Sequence, residues 1–300
     1  MEDYILPTVL GVVMGFAGRL VMLRTDYRQY PTYPHGDIIH LALGLIAAAL
    51  GSIAVPALYE HEYTAITFLS LAAQQFREVR NMERNTLTEL DSMEMVSRGR
   101  TYIEGIAMAF EGRNYLVIFI AFMTSLTTML VNWWVGVVVG FVVLIIAQYF
   151  KSGKKLQQVA DISSGHLRFD GPDLFVEDIH IMNIGLKEAQ EIIMQKGLGF
   201  ILTPKSMDSV VTLSNLGQRQ AILHDLSVGL GVYRDSGNPS LVPISKRDRD
   251  DGRLAVFFLP QIKNTERGMK VISQVPVLEN AVRMPSESDV MKLSKKRGSS

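Results

Sequence analysis

The sequence predicts an α-helical polytopic membrane domain of about five spans, followed by a small cytosolic α/β domain. Three observations carry that prediction. Apolar runs long enough to cross a bilayer are confined to residues 1–150. Charge is divided unevenly: residues 1–150 hold 9 Lys and Arg against 13 Asp and Glu, whereas residues 151–300 hold 21 against 17. The second half alternates short strand-like and helical patterns. The expected divisions are a membrane domain at 1–150 with an amphipathic cytosolic-face segment at 77–113, an α/β domain at 151–284, and a disordered polar tail at 285–300. The net charge of zero gives no case for nucleic-acid binding. The absence of cysteine excludes disulfides, zinc–thiolate sites and cysteine nucleophiles.

Residues 4–23 have the length of a span. The acidic Glu2-Asp3 ahead of them, with no small-residue cleavage site behind, argues for a retained span over a signal peptide. Gly11 and Gly15 form a GxxxG with Gly18 near the same face, which lets another helix approach closely. Arg19, one turn from the end, is expected to snorkel to the interface. Pro31 and Pro34 make 24–37 a loop. The second span is Ile38–Tyr59, with Gly44, Ala48 and Ser52 as its small-residue stripe. His40 near its start reads as an interfacial group or a functional one. His61 sits in an acidic turn but lacks the second histidine of a zincin pair, and no metal site or cofactor is expected.

Ala65–Phe76 is a short third span. Residues 77–100 carry Val79, Met82, Leu87, Leu90 and Met93 at roughly helical spacing. They read as one or two amphipathic helices on the membrane surface or against the soluble domain, or as a solvated connecting helix. Tyr115–Val131 and Trp133–Phe150 form a helical hairpin, with Trp133 and Trp134 at the far interface and a second GxxxG at Gly136 and Gly140. Five spans with the N-terminus outside place every Lys and Arg of the connecting loops inside and only Glu2, Asp3, Glu60 and Glu62 outside, which follows the positive-inside rule. The chain is therefore expected in the cell (inner) membrane with its C-terminal half cytosolic.

In that half, Leu174–Ile181 alternates as a strand, and Leu186–Gln195 is helical up to Gly197. Phe200–Leu202 is a short strand, and 206–227 is helical with a Ser206 or Asp208 cap. Leu241–Ile244 and Leu254–Leu259 are strands, and Thr265–Gln274 and Val277–Val282 complete the fold. The Gly229-Leu230-Gly231 pair lacks the third glycine of a dinucleotide fingerprint, and no phosphate loop or GxSxG elbow is present.

The stretch 98–113, RGRTYIEGIAMAFEGR, places carboxylates next to an apolar run at the membrane. On a helix Arg100, Glu104 and Glu111 share a face, with Ile103, Ile106 and Phe110 on the other side. Tyr102 lies at the edge, and Gly105 permits close backbone approach. Glu104 and Glu111 are candidate acid–base groups, since burial raises carboxylate pKa values and peptide hydrolysis needs both a base and an acid. Arg100 would tune or orient Glu104. The other reading is an Arg100–Glu104 pair that holds an interfacial helix in place.

Tyr102-Ile103-Glu104-Gly105-Ile106-Ala107 spells YIEGIA, the name-giving motif of the YIEGIA family of membrane proteins in endospore-forming bacteria, and the chain resembles that family over essentially its whole length. The resemblance implies a Gram-positive spore former and a link to regulated proteolysis: a membrane-embedded protease held in check by small capping proteins. The string matches no protease class signature, and Glu104 is its one plausible acid–base group. The partners expected are the lipid bilayer, a cytosolic protein substrate and small inhibitory proteins, with no nucleic acid and with room for a homo-oligomer. A non-enzymatic scaffold that recruits cytosolic partners stays open. Transport is weaker, because intramembrane charges are few and the halves show no repeat.

Overall fold

A computed structural model of the chain describes residues 2–26, 36–149, 154–234, 241–278 and 281. The chain forms two compact units: Met1–Glu89 with Ile106–Ser152, and Leu90–Gly105 with Gly153–Ser300. The division falls inside one helix, between Gly105 and Ile106, in the middle of the six-residue motif.

The helical unit contains α1 (Glu2–Asp26), α2 (Gly36–Tyr59), most of α3 (Tyr63–Ser92), most of α4 (Arg100–Leu130) and α5 (Trp133–Tyr149). Three helices are long and apolar enough to cross a membrane, α1, α2 and α4, with mean hydropathies of 1.8, 2.3 and 1.4 over their apolar windows. Only 39% of the α1 and α2 windows is buried, so most of their apolar side chains face outward, as lipid-facing residues do. The apolar part of α5, Trp133–Ala147, is shorter. Small residues set the packing. A Cβ on Gly11 would lie 2.4 Å from Ser52 Oγ, and one on Gly15 would lie 2.9 Å from both Ala48 and Ala121. One on Gly136 would lie 1.9 Å from Thr128 Oγ1, and one on Gly140 would lie 2.5 Å from Thr124 Oγ1. These contacts bring the backbones of α1, α2, α4 and α5 together.

The third apolar stretch and the charged segment after it are one helix. α3 runs unbroken from Tyr63 to Ser92, where separate elements at 65–76 and 77–100 are expected from the sequence. No proline or glycine interrupts it, so the change from apolar to charged alters its surroundings and leaves its backbone alone.

The α/β unit holds two antiparallel sheets, of order β1-β5-β7-β6 and β2-β3-β4. The strands are β1 (Ala160–Gly165), β2 (Leu167–Asp170), β3 (Asp173–Val176), β4 (Ile179–Asn183), β5 (Leu198–Pro204), β6 (Ile244–Arg247) and β7 (Leu254–Phe258). Helices α6 (Lys187–Lys196), α7 (Met207–Ser214), α8 (Leu216–Leu230) and α9 (Thr265–Gln274) complete the unit. Leu174, Val176, Ile181, Ile201, Ala255 and Phe257 form a core between the sheets. The opposite face of β5 carries Phe200, whose ring lies 2.4 Å from the Cβ position of Gly268, so α9 packs there. With both faces covered, β5 and β7 read as continuous apolar runs.

Several elements depart from the sequence reading. Leu174–Ile181 is a hairpin, not one strand: β3 turns at Glu177-Asp178, with Glu177 at φ 56°, and Val176 pairs with Ile179. The three-residue step from Val176 to Ile179 would reverse faces in a single strand, whereas a two-residue turn keeps both on one face. The 206–227 helix is two helices. Asn215 ends α7 and caps α8, its side chain accepting from Gln218 N. β6 lies at Ile244–Arg247, displaced from the expected 241–244, and β1 and β2 fill a segment with no predicted strand. The expected tail at 285–300 and the prolines of the first loop lie outside the described residues.

Candidate functional site

The helical unit buries a cluster of ionisable side chains. Arg19 of α1 is fully buried, and His40 of α2 and Glu83 of α3 are 3% and 4% exposed. Arg19 reaches this position because α2 has glycine opposite it: a Cβ on Gly44 would sit 2.4 Å from Arg19 Cγ. Its Nε donates to the His40 carbonyl at 3.2 Å. His40 Nε2 lies 3.4 Å from Glu83 Oε1. The Phe110 ring of α4 closes the cluster, 4.6 Å from the His40 ring centroid and 5.4 Å from Arg19 Cζ. One turn further along α4, Arg113 and Asn114 are also buried, and the Asn114 amide makes no hydrogen bond among the described residues.

Arg19 therefore does not snorkel. Gly44 opens a slot in the bundle, and the guanidinium stays inside it. An imidazole facing a carboxylate is an acid–base couple in which a proton can pass between Nε2 and Oε1. Burying such groups is costly unless they are matched, which makes the cluster a candidate site.

The sequence-derived candidates divide between the units. Glu111 accepts a 2.7 Å hydrogen bond from Arg80 Nη1 and another from the Tyr115 hydroxyl at 3.2 Å, so it is held by partners within the helical unit. Glu104 is half-buried, Gly105 buried and Arg100 exposed. Seven helical residues separate Glu104 from Glu111, a rise of about 10.5 Å.

The first motif residues belong to the α/β unit, where a set of local bonds holds them. Gly99 takes φ 81°, and Asp91 accepts from Arg98 N at 2.7 Å and Gly99 N at 2.8 Å, capping the entry to α4. His224 of α8 donates from Nδ1 to the Val96 carbonyl at 2.6 Å, and Gln220 Nε2 donates to the Ser97 carbonyl at 3.3 Å. Arg98 Nη2 lies 3.5 Å from Asp225 Oδ1, and its guanidinium sits 5.5 Å above the Tyr102 ring. Tyr102 and Ile103 are buried. Gly217 allows α8 to touch this backbone, since a Cβ there would be 2.8 Å from Tyr102 N. Burial pushes the Asp225 carboxyl above its ordinary range, with Arg98 and His224 opposing. Beside these residues lies an open cleft between α8 and α9. Among the described residues no three His, Asp or Glu side chains gather as metal ligands.

Sequence reasoning missed Glu83 and misplaced Arg19. The signal for Glu83 is its spacing: Phe76, Glu83 and Leu87 fall on one helical face, and all three are buried, whereas Met82 is 68% exposed. Of the expected face Leu87 is buried, whereas Met82 gives its place to Glu83.

The family model described as "YIEGIA protein" matches residues 7–288. A Bacillus subtilis (strain 168) protein, printed as "Uncharacterized protein YphB", is 61% identical over 287 residues, covering 96% of this chain and 97% of that relative. No solved structure matches.

Proposed function

The chain belongs to the YIEGIA family, and from that premise we propose that it is a membrane-embedded protease, or the core subunit of one, acting on cytosolic protein during sporulation. The observation that carries the catalytic part is the buried His40–Glu83 pair with Arg19 beside it: Arg19 and His40 stand on α1 and α2, which are apolar enough to span a membrane, and Glu83 on the charged half of α3. In this reading one member of the pair draws a proton from water as the oxygen adds to the peptide carbonyl. The other returns a proton to the leaving amine as the C–N bond breaks. The pair is sealed as it stands, so water reaches it only when the helices part, and the closed arrangement is the resting form. Small capping proteins, which the family resemblance implies, would act by holding that form.

Five spans with the N-terminus outside and the α/β unit cytosolic complete the proposal, supported by the loop-charge asymmetry. Here α3 crosses with its apolar half, Tyr63–Phe76, which at about 1.5 Å per residue is short for a bilayer and draws the membrane thin around it. Labelling of cysteines introduced into this cysteine-free chain tests the orientation: outside labelling at Lys155 overturns it.

Quantitative proteomics of sporulating cells, with membrane levels of the protein measured in parallel, tests the chemistry. Glu83→Gln and His40→Asn should accumulate normally while the same cytosolic proteins persist. Full substrate loss with Glu83→Gln removes the pair from catalysis, and a failure of both variants to accumulate assigns it a structural role. Glu104→Gln run alongside asks the same of the motif carboxylate. The second reading is a scaffold, favoured by the bonds that tie 96–102 to α8. A scaffold would keep its function in Glu83→Gln and lose it when those bonds are cut.

A further inference from the structure

We propose that the cleft between α8 and α9 binds a small solute carrying carboxylate or phosphate groups, and that occupancy weakens the clamp on the first turn of α4. The cleft has a volume of about 770 Å³, within the range of small-molecule sites. α8 lines it with His224, Asp225 and Val228, and α9 with Arg267, Lys270 and Val271. Those positions recur at helical spacing, so each helix turns one continuous face inward. Gly229 sets the helix separation, because a Cβ there would lie 2.9 Å from Val271 Cγ2. Arg98 enters from the turn before α4, and so the cleft and the clamp share a residue.

Charge and geometry select the ligand. Arg98, Arg267 and Lys270 face Asp225 and Glu266, which leaves the lining positive by one charge (three cations less two carboxylates). The Arg98–Asp225 contact of 3.5 Å is longer than the 2.7–2.9 Å of a charge-assisted hydrogen bond. Arg98 Nε is buried and has no hydrogen-bond partner among the described residues. A guanidinium held this loosely is open to a carboxylate or phosphate that meets it with two oxygens. Val228, 68% exposed, and Val271 offer an apolar wall to the carbon part of the solute. A ligand that takes Arg98 draws it from Asp225, one of the contacts that hold the entry to α4 on α8, and from the Tyr102 ring, against which it braces the first turn of α4. The coupling is therefore direct: an oxyanion that meets Arg98 with two oxygens competes with Asp225 for the same guanidinium.

Backbone hydrogen exchange on the full chain in detergent tests this, with citrate or inorganic phosphate titrated against chloride at matched ionic strength. At least one of the two anions should give saturable protection at 264–274 together with faster exchange at 94–103. Arg267→Ala and Lys270→Ala supply none of the described contacts to 96–102. Each should leave the unliganded exchange pattern unchanged and raise the half-saturating concentration about tenfold or more. The site is overturned if neither anion acts beyond chloride, or if protection persists unchanged in both variants, which would mark an adventitious ion only. Protection at 264–274 with unaltered exchange at 94–103 overturns the coupling to α4. The proposal does not depend on proteolysis, so its outcome and that of the His40–Glu83 variants are separate.

Discussion

Each unit sets a carboxylate against a basic side chain, and the two contacts differ in the way that matters. In the helical unit Glu83 meets His40 beside Arg19, and all three are at most 4% exposed. In the α/β unit Asp225 meets Arg98 with side-chain exposures of 26% and 18%, beside an open cleft. The first arrangement is nearly dry, so its charges interact strongly and each depends on its neighbours. The second is partly open to solvent, at a contact of 3.5 Å. The same chemistry is built for commitment in one unit and for exchange in the other.

The sharpest way to break this comparison is to remove one carboxylate. Glu83→Leu takes away the group that His40 faces and should cost about 3 kcal/mol, the upper end for a buried polar group left without its partner. Unfolding in mixed micelles, or the yield of protein in membranes, measures it. The double variant His40→Leu/Glu83→Leu should recover part of that loss, because matched apolar side chains replace a buried pair at little net cost. A single variant as stable as the parent would mean that the cluster is hydrated and that the contrast with Asp225 is false.

Smaller effects are expected at the clamp. Gly217→Val brings a side chain onto the Tyr102 backbone, where even a Cβ would lie at 2.8 Å, and should cost about 1–3 kcal/mol with faster exchange at 96–103. Asp91→Ala removes the acceptor for Arg98 N and Gly99 N and should cost about 1 kcal/mol, confined to the entry of α4. Exchange in α1 and α2 should not respond to either change. If it does, the two units are not separately stable.

The long apolar helices and the β5, β7 and α9 segments were legible because hydrophobic pattern decides them locally. The assignment of 90–105 was not. Its apolar residues and glycines read equally well as membrane-facing, and what places them in the α/β unit is a set of single bonds to α8, more than 110 residues away in sequence. The candidate site was half legible. His40 stood out as a lone histidine in an apolar run, but Glu83 was hidden among the many charges of α3, and only its face distinguishes it. Arg19 was misread because burial of an arginine depends on the absence of a side chain at Gly44, on another helix.

The finest test compares two carboxylates of the α/β unit by pH. Asp225 is raised by burial above the ordinary value of 3.8. Its contribution to stability is complete below 3.8 and is lost as pH rises through the folded value, because ionisation is harder in the folded state than in the unfolded one. Asp178 is lowered, chiefly by its hydrogen bond from Arg253, whose Nη2 lies 2.7 Å from Oδ2. Its contribution is present above 3.8 and is lost as pH falls through the folded value. The two variants should therefore diverge in opposite directions. Asp225→Asn should gain on the parent as pH rises from 3.8, and Asp178→Asn should gain on it as pH falls below 3.8. Asp178 is nearly all in solvent, so its effect should be slight and weakened by salt, whereas that of Asp225 should survive salt because its carboxylate is largely shielded. Thermal unfolding curves across that pH range, at low and high salt, measure both. Equal salt sensitivity would show that Asp225 is as wet as Asp178, and that the cleft lies open down to the Arg98 contact.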